Sequence, residues 1–557
     1  MIEEKVSCSL MKTVFLFFVL IAPGLLYANS PDAVVPLFPV NSENGELLYE
    51  SPELTSTVAP DEGGFYPELI QFNNWTVTST REIENSTDLT SRIQCVIEYT
   101  GEVSLSAAQL HACKPVVLFL PTSGITYKPK APSPSWGRAA PKRREGSEGP
   151  QNLVLLMIDT LRDDCTPPYG HPFVIAPHLD LLASMGTTFT NAYAASSSTR
   201  PSIGTFFSGL HPIAHGAERH ALTGARLRPG FPVIAEYMSS MGFETAGAVS
   251  NAQITSAYGF ERGFQRYHCP IRDHEVTEMG MKELQRLSEP FFLYLHYIAP
   301  HQPYEPAGLY NGLYEGRTPY PEMDAYLAEV TQDDRRVGRI LSELARQGLL
   351  DRTLIWTLSD HGEEFWEHGW NGHGANLYEE SVRTVSIVNS PPYTPPGQTI
   401  ETPVMHADVL PTLQDFYQQS AGFLSAGLSL KPFLQSQKTA VLADFIQRPV
   451  FLHHGGGTKA DAHPSDKQAI LHDGEKWVWW TQTNAWEHYQ LDQDPQEAND
   501  LAKSASGAIS SMQESLMRVN NIQHQLAERF STPGGDGQGI NLSRQEMENL
   551  RDLGYVK

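Results

Sequence analysis

A few residues in this chain could do chemistry together. Asp159 ends one apolar run, and Asp360 and His361 end another. Two carboxylates and an imidazole are a common donor set for one divalent cation, and mixed oxygen and nitrogen ligands allow Ca, Mn, Mg or Zn. One Asp or His at such a place is often only a turn former; three at the strand ends of one sheet point to a metal. A third run, residues 291–295, leads to His296 and then to His301. Between the first two runs lies SSSTRPSIGTFFSGLHP, residues 196–212. Pro201 and Ser202 open a helix-like apolar stretch, and proline is favoured at the first helical position. Thr199 then sits just before a helix N-terminus, where free N–H groups bind oxyanions. A hydroxyl held there beside a metal can act as an alkoxide nucleophile; the same residue could be an ordinary cap. Arg200 is either a clamp on the anion or a solvent-facing arginine.

Such residues must be brought together by strands. Residues 153–158, 291–295 and 354–358 are continuous apolar runs, as in strands buried on both faces. Helical segments lie between them. One covers about 177–185; a longer one carries Leu327, Val330, Val337, Ile340, Leu341 and Leu344 near helical spacing and closes at Gly348. Strands alternating with helices predict an α/β domain with a largely parallel sheet. Ligands of such sheets bind outside the carboxyl ends of the strands, where Asp159, His301, Asp360 and His361 fall.

The flanks differ in character. Residues 31–127 read as a β-rich accessory module, with Ile93, Cys95, Ile97 and Tyr99 alternating with polar neighbours. Residues 128–150 are a linker rich in Pro, Gly, Ser and charge. The catalytic α/β domain spans 151–440. A small C-terminal α+β subdomain follows at 441–557, with an aromatic strand at 476–480 and a capping box that begins a helix at Ser543. Residues 1–28 read as a cleaved signal peptide, with Lys12 before the apolar residues 14–26 and small residues after them. An exported chain, periplasmic or extracellular, is the expectation, with no transmembrane segment once mature. Its cysteines could then be oxidised, Cys95 with Cys113 and, less well supported, Cys165 with Cys269. Lys and Arg total 40 against 64 Asp and Glu, a formal charge of −24. That argues against nucleic acid as a partner, but not against a small anionic substrate met by a local cation.

Several ordered motifs resemble the sulfatase family within the alkaline-phosphatase superfamily. They are NLVLLMIDTLRDD (152–164), APHLDLLASMGTTFTNAYA (176–194), PFFLYLHYIAPHQPYEP (290–306), LIWTLSDHGEEFWEHGWNGHGANLYEE (354–380), HADVLPTLQDF (406–416) and HYQLDQDPQEANDLA (488–502). The resemblance implies an alkaline-phosphatase-like sandwich around a mostly parallel sheet. It implies that Asp159, Asp360 and His361 hold one metal with Thr199. Thr160 stands where many relatives have a second acid. His301 matches a histidine that contacts the anion or the leaving group, and His373 falls where many relatives have a lysine. A histidine there makes activity pH-sensitive between about pH 5 and 8.

Formylglycine sulfatases carry C-x-P-x-R or S-x-P-x-R with a glycine ten residues after the first position. Counting back from Gly209 gives Thr199, with Pro201 in place and Ile203 where the arginine would be. A register from Ser196 to Arg200 loses both the proline and the glycine spacing. Threonine cannot become formylglycine, so the resemblance implies direct attack by Thr199 on a phosphodiester-type or sulfate ester, with hydrolysis or transfer to follow. Substrates would be small anionic esters or envelope glycans or lipids. Alternatives are an arylsulfatase-like sulfuric ester hydrolase and an inactive envelope-binding homologue.

Overall fold

A computed structural model describes residues 150–531, apart from 219–224, 391–392, 418–424, 436–443, 446–447 and 456–465. It also describes Arg544 and the backbone of seven strands between residues 34 and 121. The leader at 1–28, nearly all of the linker at 128–150, Cys113 and the helix expected after Ser543 lie outside the described residues. The chain divides into two units, residues 1–138 with 338–349 and residues 139–337 with 350–557.

Apart from residues 338–349, which include the end of helix Pro321–Arg346, the described part of the first unit is antiparallel strands. Leu47–Glu50, Val34–Asn41 and Leu118–Pro121 form one sheet. Trp75–Glu82 pairs with Phe65–Tyr66, Ile70–Phe72 and Ile93–Tyr99 in another. The alternating residues 93–99 are thus a strand.

An eight-stranded sheet dominates the second unit. In spatial order its strands are Arg266–His268, Glu244–Val249, Phe291–Tyr297, Asn152–Ile158, Thr353–Ser359, Ser386–Asn389, Thr187–Phe189 and Gln398–Ile400. The first five run parallel. Ser386–Asn389 is antiparallel to both its neighbours. Every residue of Asn152–Ile158, Phe291–Tyr297 and Thr353–Ser359 is buried, which is why these stretches are apolar without alternation. Ile158 is in register with both Tyr297 and Ser359. Asp159, Ile298 and Asp360 therefore leave the sheet side by side.

Helix Thr199–Ser208 lies against this sheet. Ile203, Phe206 and Phe207, with Leu210 just past its end, share a core with Leu153, Leu155 and Met157. Their spacing is that of one helix face. The helix ends at Gly209, whose φ of +68° is left-handed, and a Cβ there would meet Ser425 Oγ at 2.6 Å. The ten-residue interval from Thr199 to Gly209 is thus one short helix and its left-handed cap.

After this sheet come four antiparallel strands, Val450–His454, Lys467–His472, Glu475–Trp480 and Ala485–Gln490, and helix Ile509–Phe530. Val450, Leu452 and Val478 face a core containing Tyr193 and Met405. Phe451, Ile470 and Trp477 face Leu516 of the helix.

The pairing expected of Cys165 and Cys269 is not found. Cys165 is buried, Cys269 is exposed, and no disulfide joins them. Cys165 follows the central strand Asn152–Ile158, and Cys269 follows the edge strand three positions away.

Candidate active site

Asp159, Asp360, His361 and Thr199 meet at the carboxyl edge of the central strands, each 0–1% exposed. One oxygen of each carboxylate is engaged. Asp360 Oδ1 accepts from the backbone N–H groups of Thr160 (3.0 Å) and His361 (2.9 Å). Asp159 Oδ2 faces His296 Nε2 at 3.1 Å and accepts from the Asn251 amide. The other oxygens, Asp159 Oδ1 and Asp360 Oδ2, are buried with no hydrogen-bond partner. His361 Nε2 lies 3.7 Å from the first and 3.4 Å from the second. His361 Nδ1 faces the Gly362 carbonyl at 2.9 Å, so it carries the proton and Nε2 carries the lone pair. Two bare carboxylate oxygens and one imidazole lone pair, all within 4.8 Å of one another, fit one divalent cation. Burial, and then Asp159, pushes the Asp360 carboxyl up to about 8. Burial likewise pushes Asp159 up to about 7, against the pull of His373.

Thr160 keeps this arrangement at a cost. Its φ is +52°, a rare conformation for a β-branched residue and worth about 1–3 kcal/mol of strain. The twist aims its N–H at Asp360 while its carbonyl accepts from Tyr326 (2.8 Å). The position that many relatives fill with an acid serves here through its backbone.

Thr199 Oγ1 stands 3.4 Å from Asp159 Oδ2, 3.3 Å from His361 Nε2 and 3.3 Å from Asn251 Nδ2. Thr199 is the first residue of its helix rather than the residue before it, and Ser198 is the cap. Pro201 is thus the third helical residue. It is tolerated because first-turn N–H groups have no partner within the helix.

Arg200 is placed otherwise than as an anion clamp or a solvent-facing arginine. It is 0% exposed. Its guanidinium stacks 3.6 Å from the Tyr258 ring centre and donates to Gln253 O (3.2 Å), the Gln253 side chain and Ala225 O (3.4 Å). Consecutive helical residues point about 100° apart, so with Thr199 aimed at Asp159 and His361 its neighbour is aimed at the 251–258 loop.

His301 and His373 stack edge-on, ring centres 4.6 Å apart, and His373 is 4.7 Å from His361. Their electrostatics differ. Burial, and then His373, holds His301 well below its ordinary value. Its Nδ1 donates to the Gln302 carbonyl, so Nε2 is an acceptor. Burial opposes charge on His373 too, but Glu363, 3.0 Å from Nδ1, prevails and pushes it up to about 9. The Glu363 carboxylate thus favours the charged form of His373 and moves its titration upward.

Asn251, His296 and Glu363 are site residues that the sequence reading did not assign. Asn251 Oδ1 accepts from Gln253 N (2.7 Å), which fixes the amide so that Nδ2 donates to Asp159 and Thr199. Burial pushes His296 down to about 4, and its Nδ1 faces Tyr294 OH at 2.8 Å. It is a neutral donor to Asp159. Asn251 follows Glu244–Val249, a strand of small residues with little apolar signal.

Comparison with known proteins gives the family of the chain. Residues 151–417 match the sulfatase family model, and residues 366–524 match the C-terminal model of N-sulphoglucosamine sulphohydrolase. An arylsulfatase of Clostridium perfringens is 22% identical over 450 residues, covering 63% of this chain and 90% of that protein. A choline-sulfatase of Rhizobium meliloti is 24% identical over 472 residues, covering 69% and 88%. The phosphonate monoester hydrolase of Agrobacterium radiobacter has a similar structure, with a TM-score of 0.58 and 18% identity over 67% of this chain and 96% of that one. With a mostly parallel central sheet, a paired-carboxylate and histidine edge and these matches, the chain belongs to the sulfatase family of the alkaline-phosphatase superfamily and is a hydrolase of that family.

Proposed function

We propose that this protein cleaves a singly charged anionic ester, a phosphodiester, phosphonate monoester or sulfate monoester, by direct attack of Thr199. The carrying observation is the Thr199 hydroxyl, poised between the Asp159 carboxylate, His361 Nε2 and the Asn251 amide. Asp159, Asp360 and His361 would hold one divalent cation with Thr199. Such an ion, when bound, lowers the pKa of a ligating hydroxyl and offsets charge on the transferred group.

The chain's own residues supply the rest. The Thr199 proton has Asp159 Oδ2 as its nearest carboxylate acceptor. The Asn251 N–H stabilises the oxyanion that remains. As the bond from Thr199 Oγ1 to phosphorus or sulfur forms, the bond to the leaving oxygen breaks, and His373 supplies that oxygen's proton. His301 Nε2 is an acceptor and can take a proton from the water that then cleaves the threonine ester. Asp159, Asp360 and Glu363 carry three negative charges, His373 carries one positive, and a divalent cation adds two. The loaded site is then neutral, which suits a monoanionic ester better than a dianionic phosphate monoester.

The leader-like residues 11–30 support export to the periplasm or beyond. Among the described residues no helix is long and apolar enough to cross a membrane. A panel of aryl sulfate, aryl phosphodiester, phosphonate monoester and aryl phosphate tests the proposal. Turnover of the first three classes over the last supports it; preference for the phosphate monoester contradicts it.

A further inference from the structure

A second group of ligating side chains lies apart from Asp159. His368 Nε2 is 3.3 Å from Glu380 Oε1, and together with a Glu497 oxygen these atoms lie within 4.8 Å of one another. Three parts of the chain contribute: the turn between Glu364–Phe365 and Asn371–Gly372, helix Glu379–Val382, and the segment after the last strand, Ala485–Gln490. The Glu380 side chain is 9% exposed, and its Oε1, turned into the group, has no hydrogen-bond partner.

Three glutamates, Glu379, Glu380 and Glu497, meet here. Lys476 Nζ lies 3.0 Å from Glu379 and 2.9 Å from Glu497. Arg383 lies 2.8 Å from Asp163, and Arg162 pairs with Asp164 and Glu367. Glu379 is met by Lys476 and, at 3.9 Å, by Arg383 Nε, Glu497 by Lys476, and Glu380 by His368. Glu497 Oε2 already accepts from Glu379 N (2.6 Å), and Oε1 has a second lone pair beyond the one facing Lys476. His368 is stacked on Tyr378 at 3.7 Å, which fixes the ring.

We infer that His368, Glu380 and Glu497 form a second divalent-cation site. One imidazole and two carboxylates suit a borderline cation such as Zn²⁺ better than Ca²⁺, which takes six to eight oxygens. The ion would staple the 366–370 turn to the segment after the last strand. Because the Glu380 carbonyl accepts from Glu363 N (3.0 Å), the staple also backs the residue that pairs with His373.

The test is metal stoichiometry. Full-length protein is stripped with a chelator, dialysed and titrated with Zn²⁺, and bound metal is counted by elemental mass spectrometry. Wild type is expected to hold two equivalents. His368→Ala and Glu380→Gln should each hold one. Asp360→Asn should also hold one, and Zn²⁺ should still raise its Tm. Adding His368→Ala to Asp360→Asn should abolish that Tm shift. Should His368→Ala not fold by circular dichroism, His368→Gln and Glu380→Gln carry the test. One equivalent in wild type, lost on Asp360→Asn but kept in His368→Ala, would overturn the second site and leave the first standing. Two equivalents in both His368→Ala and Glu380→Gln would overturn it as well.

Discussion

Replacing Asn251 by alanine isolates one donor at the nucleophile. Asn251 Nδ2 serves two acceptors, Thr199 Oγ1 and Asp159 Oδ2, and its orientation is set by the bond from Gln253 N to Oδ1. Loss of a single preorganised donor to developing negative charge costs about 10²–10³ in kcat, or roughly 3–4 kcal/mol. Loss of an outer partner of a metal ligand costs about 10–100-fold in metal affinity. His296 still holds Asp159 Oδ2, so the second effect should fall at the low end. The two are separated by steady-state kinetics across a metal titration. Asn251→Ala should need about tenfold more metal for half activation and, once saturated, should retain a kcat deficit of at least about 10². KM should move little, because the donor acts on charge that grows during reaction. A variant within threefold of wild-type kcat at saturating metal would refute the idea that Asn251 acts on Thr199.

Other outcomes follow from the same geometry. Chelation should abolish turnover and lower Tm. Restoring metal at 100 times its Kd should return about 2.7 kcal/mol of stability, and an unchanged Tm would argue against Asp159 and Asp360 as ligands. His373→Leu should lose at least about 10² in kcat, the scale of a missing general acid, whereas His373→Lys should retain most activity. Glu363→Gln should then be milder in the His373→Lys background than alone, since lysine keeps its charge unaided; equal penalties in both backgrounds would show that Glu363 acts otherwise. Arg200→Lys cannot reproduce the planar stack on Tyr258 with its paired donors to Gln253. It should lower kcat with KM nearly unchanged; a KM increase alone would restore the role of anion clamp.

The scaffold was legible because burial on both faces writes itself as continuous apolar sequence. Residues 153–158, 291–295 and 354–358 announced their strands, and the polar residues that ended them announced the site. The interval from Thr199 to Gly209 was legible through the resemblance to the sulfatase motif, and it proves to be one helix and its left-handed cap. The direction of Arg200 was not. Sequence adjacency to Thr199 suggested shared work, yet one helical step turns the side chain away from Asp159 and His361. Asn251 and Glu363 were hidden for another reason. Each acts through long-range contacts, 52 and 10 residues from its partner, and neither has an apolar run of its own to mark it. The strain at Thr160 leaves no trace in composition, since it lives in one backbone angle.

Direct attack by Thr199 is best tested by trapping its product. The protein is mixed with an aryl phosphodiester or aryl sulfate, quenched in acid within one turnover, and mapped by peptide mass. A mass increase of one transferred group on the peptide bearing Thr199, absent in a Thr199→Ala protein that binds metal but does not turn over, is the expected result. Turnover retained by Thr199→Ala, or an adduct on another residue, would contradict the account.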